Sequence, residues 1–397
     1  MSTITYSPPF TVDTIINALG TVTSPLFAVI IPAIVALYDY YQSASPIALS
    51  SLDGLKEFLF SRYRWCGYVV IFILVRAIND FLSRRARNNG VLTPDKPKWD
   101  RDVVVVTGGA TGIGANVVRV LSRNHRAKIA VLDICEPTYE PAANGAPEIL
   151  FIKTDVSSTE AIAKAHATIR EHFGTSPSYV IGVAGVVRAG RLLDTEPEYI
   201  RRTFEINSLA HVIQAREFLP AMLERNHGHY VTVASSASYY GPPMLGPYCI
   251  SKAAALSFHE QLRVELRVVE KRPNVRTSVF TPTKVKTTLG HGLSSGKLGF
   301  FHPDLESLQV ALSIVEAVNS GESHNVSQPY ITWLLPFARA LPAWYLSLIA
   351  ILGDTDVAVT ENSIRESCKI GYASNWSKEQ IESVFGRQYI EMQGDAK

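Results

Sequence analysis

Val103-Val104-Val105-Val106-Thr107-Gly108-Gly109-Ala110-Thr111-Gly112-Ile113-Gly114 is the stretch on which the fold turns. Four consecutive valines are apolar and β-branched, the composition of a strand covered on both faces. They run into a turn with glycines at 108, 112 and 114, and residues 113–123 then read as a helix. Glycine lets the backbone turn sharply and approach an anion closely. A helix beginning there presents free N–H groups and the positive end of its dipole, which suits a pyrophosphate. A glycine-rich turn alone is weak evidence, but a strand before it and a helix after it are the context the motif requires.

Downstream, the same alternation continues. Strands are predicted over 102–106, 128–133, 148–154, 179–183, 230–234 and 275–281, and helices over 113–123, 159–173, 197–209, 211–223 and 248–268. That order predicts an α/β, Rossmann-type doubly wound parallel sheet with ligands at the carboxyl ends of its strands. Asp133 closes the second strand, 19 residues after Gly114. A carboxylate there can accept hydrogen bonds from ribose hydroxyls and repels a 2′-phosphate. No Lys or Arg lies between Asp133 and Ala146, nor in the turn from Thr107 to Gly114. NAD is therefore expected as cofactor, with NADP the weaker choice.

Upstream, residues 14–38 carry no charge, and 25 such residues could cross a bilayer of about 30 Å as one helix. Residues 65–75 form a second apolar run, too short for a span and suited to an interfacial or re-entrant helix. Arg84, Arg85 and Arg87 follow it, a basic cluster of the kind that stays on the cytoplasmic face. Residues 88–98 read as a linker with little to bury. Residues 305–319 are a plausible helix. Residues 330–352 are apolar, with one charge at Arg339 and breaks at Pro336 and Pro342. That pattern suits a membrane contact or a substrate-entry lip, or else a buried core helix. The expected organisation is a membrane anchor and linker over 1–98, a catalytic domain over 99–300 and an extension over 301–397. No function is legible in 353–397.

With 397 residues, 47% of them hydrophobic, the chain has room for one domain with membrane-facing appendages. The net charge of +2 makes nucleic acid an unexpected partner. Cys66, Cys135, Cys249 and Cys368 are scattered; no Cys/His spacing suggests a metal, and reduced thiols on a cytosol-facing protein are expected. Sequons at Asn325 and Asn375 are assigned no role.

Tyr248-Cys249-Ile250-Ser251-Lys252 resembles the YxxxK signature of short-chain dehydrogenases/reductases. Ser235 lies 13 residues upstream, where that family places its serine, and Asn207 resembles its helix asparagine. Thr107, Gly108, Gly112 and Gly114 match the family's TGxxxGxG turn; Pro282, Val285 and Thr287 resemble its PGxVxT segment. Asp155 and Val156 resemble its adenine-contacting pair. The resemblance spans residues 102–290. It implies cofactor binding by Thr107, Gly108, Gly112, Ile113, Gly114, Asp133, Asp155, Val156, Ala184, Gly185, Tyr248, Lys252, Val285 and Thr287, and catalysis by Ser235, Tyr248, Lys252 and Asn207. Tyr248 and Lys252, four apart, share a helix face, so the ammonium can favour the phenolate. Ser235 would orient the substrate oxygen, and Asn207 would hold a water of the proton relay. Two departures stand out: the family's NNAG is Gly182-Val183-Ala184-Gly185, and its PG is Pro282-Thr283. The first puts the tie between central strands in doubt more than the chemistry.

The anchor and the apolar extension resemble a membrane-anchored subgroup that includes retinol and 17-beta-hydroxysteroid dehydrogenases of endoplasmic reticulum and lipid droplets. The resemblance implies a retinoid, sterol or long-chain lipid alcohol as substrate, a membrane partner and a cytosol-facing catalytic domain, with homodimerisation left open. Two other readings stay open: an NADPH-dependent lipid-ketone reductase, and a non-catalytic membrane or lipid-droplet scaffold.

Overall fold

Apolar residues in this chain change their spacing from helical to alternating at residue 103, and its two bodies divide close to that point. In the computed structural model, residues 12–92 form one compact unit, and residues 1–11 with 93–397 form the other. The structure describes residues 3–43, 47, 51–137, 139, 149–287, 289, 299–300 and 303–352. The tail 353–397, with Cys368 and the Asn375 sequon, lies outside the described residues, as does Glu148.

The first unit holds α1 (Val12–Val22), α2 (Phe27–Gln42), α3 (Leu52–Glu57) and α4 (Arg64–Arg87). The single helix expected over 14–38 is broken: α1 and α2 meet at a bend of 71°. Pro25 sits in the break and has no N–H to continue the ladder. The run at 65–75 is also longer than expected. It belongs to the 24-residue α4, whose exposed apolar side chains continue past Arg76 through Ile78, Phe81 and Leu82. Arg76 binds the Thr23 hydroxyl and lies 3.7 Å from Asp80, which partners its charge inside the apolar stretch. By length and composition α4 could cross a membrane, and α1 with α2 could do so as a bent pair.

The second unit is built on β1 (Val103–Thr107), α5 (Gly112–Val120), β2 (Lys128–Asp133), β3 (Ile149–Lys153), α6 (Thr159–Phe173), β4 (Tyr179–Gly182), α7 (Pro197–Phe204), α8 (Ala210–Arg225), β5 (Gly228–Val233), α9 (Gly246–Glu265), β6 (Val275–Pro282), β7 (Val285–Lys286), β8 (Leu305–Glu306), α10 (Ser307–Ser320), β9 (Asn325–Gln328), α11 (Leu335–Ala338) and α12 (Ala343–Leu352). Seven described strands form one sheet in the order β3-β2-β1-β4-β5-β6-β9, every pair parallel. Alternation decides the layers. Val104 and Val106 face α5 and α10, while Val103 and Val105 face α6, α8 and α9. The strand order reverses between β1 and β4, which opens a crevice at their carboxyl ends.

Strand β9 was not legible. Its sequence Asn-Val-Ser-Gln has no apolar alternation and becomes a strand by pairing with Val279–Pro282 of β6. Strand β9 and α10, both beyond residue 300, pack as part of the sheet body. Residues 330–352 are not a buried core helix: Trp333, Leu334 and Phe337 are exposed, Phe337 by 58%. Residues 93–98 are likewise more than a linker. Thr93 O accepts from Arg276 Nη2 at 2.9 Å, and Asp95 N–H donates to Gly321 O at 3.0 Å. The partners lie more than a hundred residues away, so no local pattern announces them.

Candidate active site

Three backbone segments converge at the mouth of the crevice. Gly108 adopts φ +67°, and a Cβ there would lie 2.7 Å from Ala184 Cα. A Cβ at Gly114 would lie 2.1 Å from Gly108 O, and one at Gly112 would lie 3.2 Å from Thr287 Cγ2. The glycine turn, Ala184–Gly185 and Thr287 therefore form a cradle that any larger residue would fill, which fits a dinucleotide diphosphate. The Thr107 hydroxyl is buried there without a hydrogen-bond partner among the described residues, while Ile113 packs its half-buried side chain on the core. Val285 is buried at the same edge.

Asp133 ends β2 with both carboxylate oxygens turned to backbone: Oδ2 accepts from Ala110 N at 2.9 Å and Oδ1 from Cys135 N at 3.1 Å. The glycine turn and the carboxylate are thus one rigid piece. The neighbouring loop is tied in by Thr154 N–H to Asp133 O at 2.9 Å. Val156 is buried, and Asp155 accepts from Ser157 N–H and Oγ and pairs with Arg202 of α7. Burial works to raise the Asp155 carboxyl, but those partners hold it below the ordinary carboxylate range. Sequence reasoning missed Arg202, 47 residues away. It also missed Arg119, whose guanidinium lies 5.6 Å above the Tyr139 ring. Burial raises the Tyr139 phenol most, the Asp133 charge raises it further and the Arg119 charge works against both.

Ser235 leaves β5, and Tyr248 and Lys252 lie one turn apart on α9. The Ser235 hydroxyl accepts from Ala237 N–H at 3.2 Å and donates to Pro282 O at 3.4 Å, and its nearness lowers the Tyr248 phenol. The Lys252 side chain is deeply buried, and Nζ donates to Val233 O at 2.9 Å. A Cβ on Gly185 would lie 3.4 Å from Lys252 Nζ and 3.2 Å from Asn207 Oδ1, so these two expected catalytic side chains border one small space. The electrostatics differ from expectation. Burial pushes the Tyr248 phenol up to about 12, against the Ser235 hydroxyl that lowers it. Burial also brings the Lys252 ammonium down to about 8. Lysine does not by itself produce a low phenol pKa here, because desolvation dominates both groups.

Asn207 sits in a π-helical turn, Glu205–Leu209, between α7 and α8. Its Oδ1 accepts from Val186 N at 2.8 Å, and Nδ2 donates to Val186 O and Ser251 Oγ, each at 2.9 Å. The wide turn points the amide inward to tie the loop after β4 to α9. The glycine that replaces the first NNAG asparagine also has a structural reason. A Cβ at Gly182 would lie 2.6 Å from His211 Cε1. His211 fills that space, stacked on Phe258 and with Nδ1 3.3 Å from the Tyr230 hydroxyl. The tie between strands that had been in doubt is replaced by a ring from α8.

Beside the phenol the surroundings are apolar: Ala189, Leu245 and Cys249 form a buried cluster with Val187, Ala237 and Tyr248 against it. Cys66, Cys135 and Cys249 are free thiols.

The short chain dehydrogenase family model matches residues 102–297. Dehydrogenase RED2 of Cochliobolus heterostrophus is 37% identical over 217 residues, 54% of this chain and 80% of that protein. Human 17-beta-hydroxysteroid dehydrogenase 13 is 33% identical over 247 residues, 61% of this chain and 79% of that one. Among solved structures, an alcohol dehydrogenase from the archaeon Thermococcus sibiricus complexed with 5-hydroxy-NADP matches with a TM-score of 0.47 and 20% identity, over 58% of this chain and 97% of that one.

Proposed function

Because the chain belongs to the short-chain dehydrogenase family, we propose that it moves hydride between NAD(H) and a lipophilic alcohol or ketone, with Tyr248 exchanging the proton. The observation that supports this reading is that Lys252 Nζ and Asn207 Oδ1 border Gly185 beside the glycine cradle, with Tyr248 one turn from Lys252 on the same helix. The nicotinamide, when bound, supplies the hydride acceptor or donor. The backbone N–H groups opening α5, with Thr107, Gly108, Gly112, Ile113 and Gly114, would hold the diphosphate. Asp133 would accept the adenosine ribose hydroxyls, and Asp155 and Val156 would border the adenine. Ala184, Gly185, Val285 and Thr287 would border the nicotinamide side, and Lys252 would also hydrogen-bond its ribose.

Ser235 would donate its hydroxyl proton in a hydrogen bond to the substrate oxygen. In ketone reduction, Tyr248 gives a proton to that oxygen, and a phenol held at about 12 is ready as the acid at neutral pH. In alcohol oxidation, Tyr248 takes the proton, and each unit of lowering needs about 1.4 kcal/mol of added stabilisation of the phenolate. The Lys252 ammonium and a cationic nicotinamide are the charges that could supply it. Asn207 would align the relay through Val186 and Ser251.

A lipophilic substrate is supported by the apolar cluster beside the phenol and by the name of the human relative, a 17-beta-hydroxysteroid dehydrogenase. A membrane mount on endoplasmic reticulum or lipid droplet, with the sheet body facing the cytosol, is supported by α4 and the bent pair. Contacts at the chain's start sharpen that reading. Ile4 N–H donates to Asn124 Oδ1 at 2.9 Å, and Asn124 Nδ2 donates back to Ile4 O at 3.1 Å. Phe10 and Phe300 rings lie 6.0 Å apart. The described residues of 1–11 and 93–352 fall in one body, so on this reading residues 12–92 would leave and re-enter on one membrane face, and the number of crossings would be even, as in a two-pass hairpin or an in-plane mount. In sealed microsomes, tags at the two ends of the full chain should share one protease sensitivity; opposite protection overturns the even count.

The reaction is tested with purified full-length protein on estradiol, estrone, retinol and a long-chain fatty alcohol, with each nicotinamide cofactor, following reduced-nicotinamide absorbance. Turnover of at least one, with NADH binding tighter than NADPH, is expected. Turnover of small water-soluble alcohols alone would overturn the lipophilic reading, and tighter NADPH would turn preference to Arg119 over Asp133.

A further inference from the structure

Ser235 and the Tyr248–Lys252 face belong to different elements, so something must fix their separation. Ser238 does so with every polar group it has. It is 2% exposed and ends the short 3-10 turn Ser236–Ser238 that follows Ser235. Its N–H donates to Ser235 O at 2.9 Å. Its Oγ donates to the backbone carbonyl of Lys252 at 2.8 Å. Its own carbonyl accepts from Arg339 Nη2 at 2.8 Å, while Arg339 Nε donates to the next carbonyl, Tyr239 O, at 2.9 Å.

Arg339 is the only charged residue in 330–352. A guanidinium in an exposed segment would ordinarily be hydrated. Here its planar fork takes two successive carbonyls of one turn, a geometry that a single-point donor reproduces poorly. The Lys252 carbonyl is inside α9 and already has its helical acceptor role, so the Ser238 bond is additional to the helix ladder. Losing it does not orphan a buried group, yet it unties the serine turn from the lysine's own backbone.

We propose that Ser238 and Arg339 are positioning residues, a junction that holds Ser235 against the Tyr248–Lys252 face and makes the C-terminal apolar segment part of the catalytic apparatus. The proposal rests on the roles assigned to Ser235, Tyr248 and Lys252 above. Through it, a disturbance of residues 330–339 reaches the Ser235 backbone carbonyl across two hydrogen bonds. Because the Ser235 hydroxyl lowers the Tyr248 phenol, loosening the turn should raise it.

The test uses the full chain, the lipid alcohol from the panel that turns over, and the variants Ser238→Ala, Arg339→Gln, Arg339→Lys and the Ser238→Ala/Arg339→Gln double. Each of Ser238→Ala and Arg339→Gln should lower kcat roughly tenfold, as expected when a hydrogen bond to the reacting geometry is lost. KM for the cofactor should stay within about twofold, and the double should lose less than the product of the singles. The rising limb of kcat with pH should move upward, and Arg339→Lys should recover part of the loss. Hydrogen exchange of peptides covering 235–240 should quicken in Arg339→Gln at unchanged Tm, a readout that needs no substrate. Unchanged exchange, or an unchanged kcat and pH limb in both single variants, overturns the junction. Tyr248→Phe run alongside separates the two failures: if it keeps turnover, the site reading falls; if it loses turnover while the junction variants are silent, only the junction falls.

Discussion

At the amino edge of the sheet, His227 lies between two carboxylates; at the carboxyl edge, Tyr248 and Lys252 are buried with no carboxylate among their described hydrogen-bond partners. His227 Nδ1 is 2.6 Å from Asp95 Oδ2, and Nε2 is 3.1 Å from Asp102 Oδ2. Ser178 Oγ donates to Asp102 Oδ1 at 2.9 Å. Hydrogen bonds to Asp102 and Asp95 push the imidazole up to about 9, against burial. Burial works to raise Asp102, but His227, the Lys98 N–H and Ser178 hold it below the ordinary carboxylate value. At the other edge burial dominates, lifting the phenol to about 12 and dropping the ammonium to about 8. Pairing favours the charged form and desolvation favours the neutral one, so one edge stores fixed charge and the other holds groups poised to exchange protons. The first edge clamps residues 93–98 to the sheet; the second is where the proposed chemistry would take place.

The largest expected effect would break or keep that contrast outright. Tyr248→Phe should cut turnover by roughly a thousandfold while the Kd for NADH stays within about twofold, measured by nicotinamide absorbance and fluorescence titration. Turnover near normal would take the chemistry away from this edge. A smaller effect sharpens the cofactor side. Asp133→Ala removes the carboxylate but leaves the cradle, and should shift the NADH/NADPH affinity ratio by roughly tenfold toward NADPH. An unmoved ratio would mean that Arg119 already balances the carboxylate.

The smallest effect belongs to the amino edge and carries a sign. The His227 value is raised from 6.5 to about 9, so its contribution is complete below pH 6.5 and is lost as pH rises through about 9. Asp102 is lowered from 3.8, so its contribution is present above that value and is lost as pH falls below it. His227→Gln should therefore lower Tm at pH 6 by roughly 5 °C, for about 2 kcal/mol, and by much less at pH 10, with kcat unchanged. An equal loss of Tm at both pH values would remove the charged imidazole from the account.

Much of the site was legible because its pieces are local. The turn from Thr107 to Gly114 announces itself by glycines between a valine strand and a helix, and Tyr248 and Lys252 share a face by helical spacing alone. Strand β9 was not legible, since Asn325–Gln328 becomes a strand only against β6. Nor were Arg202, His211, Ser238 and Arg339, whose partners lie 14 to 101 residues away.

By itself, then, the sequence determined the order of strands and helices up to β6, the glycine turn, the carboxylate at Asp133 and the helical spacing of Tyr248 and Lys252. Those follow from backbone sterics and side-chain periodicity, which act over a few residues. Only the tertiary structure decided that Lys252 spends its proton on Val233 O, that the phenol is raised, that Gly182 makes room for His211 and that residues 93–98 are clamped by His227. Burial and partnership are properties of the space around a group, and that space is assembled from segments far apart in the chain.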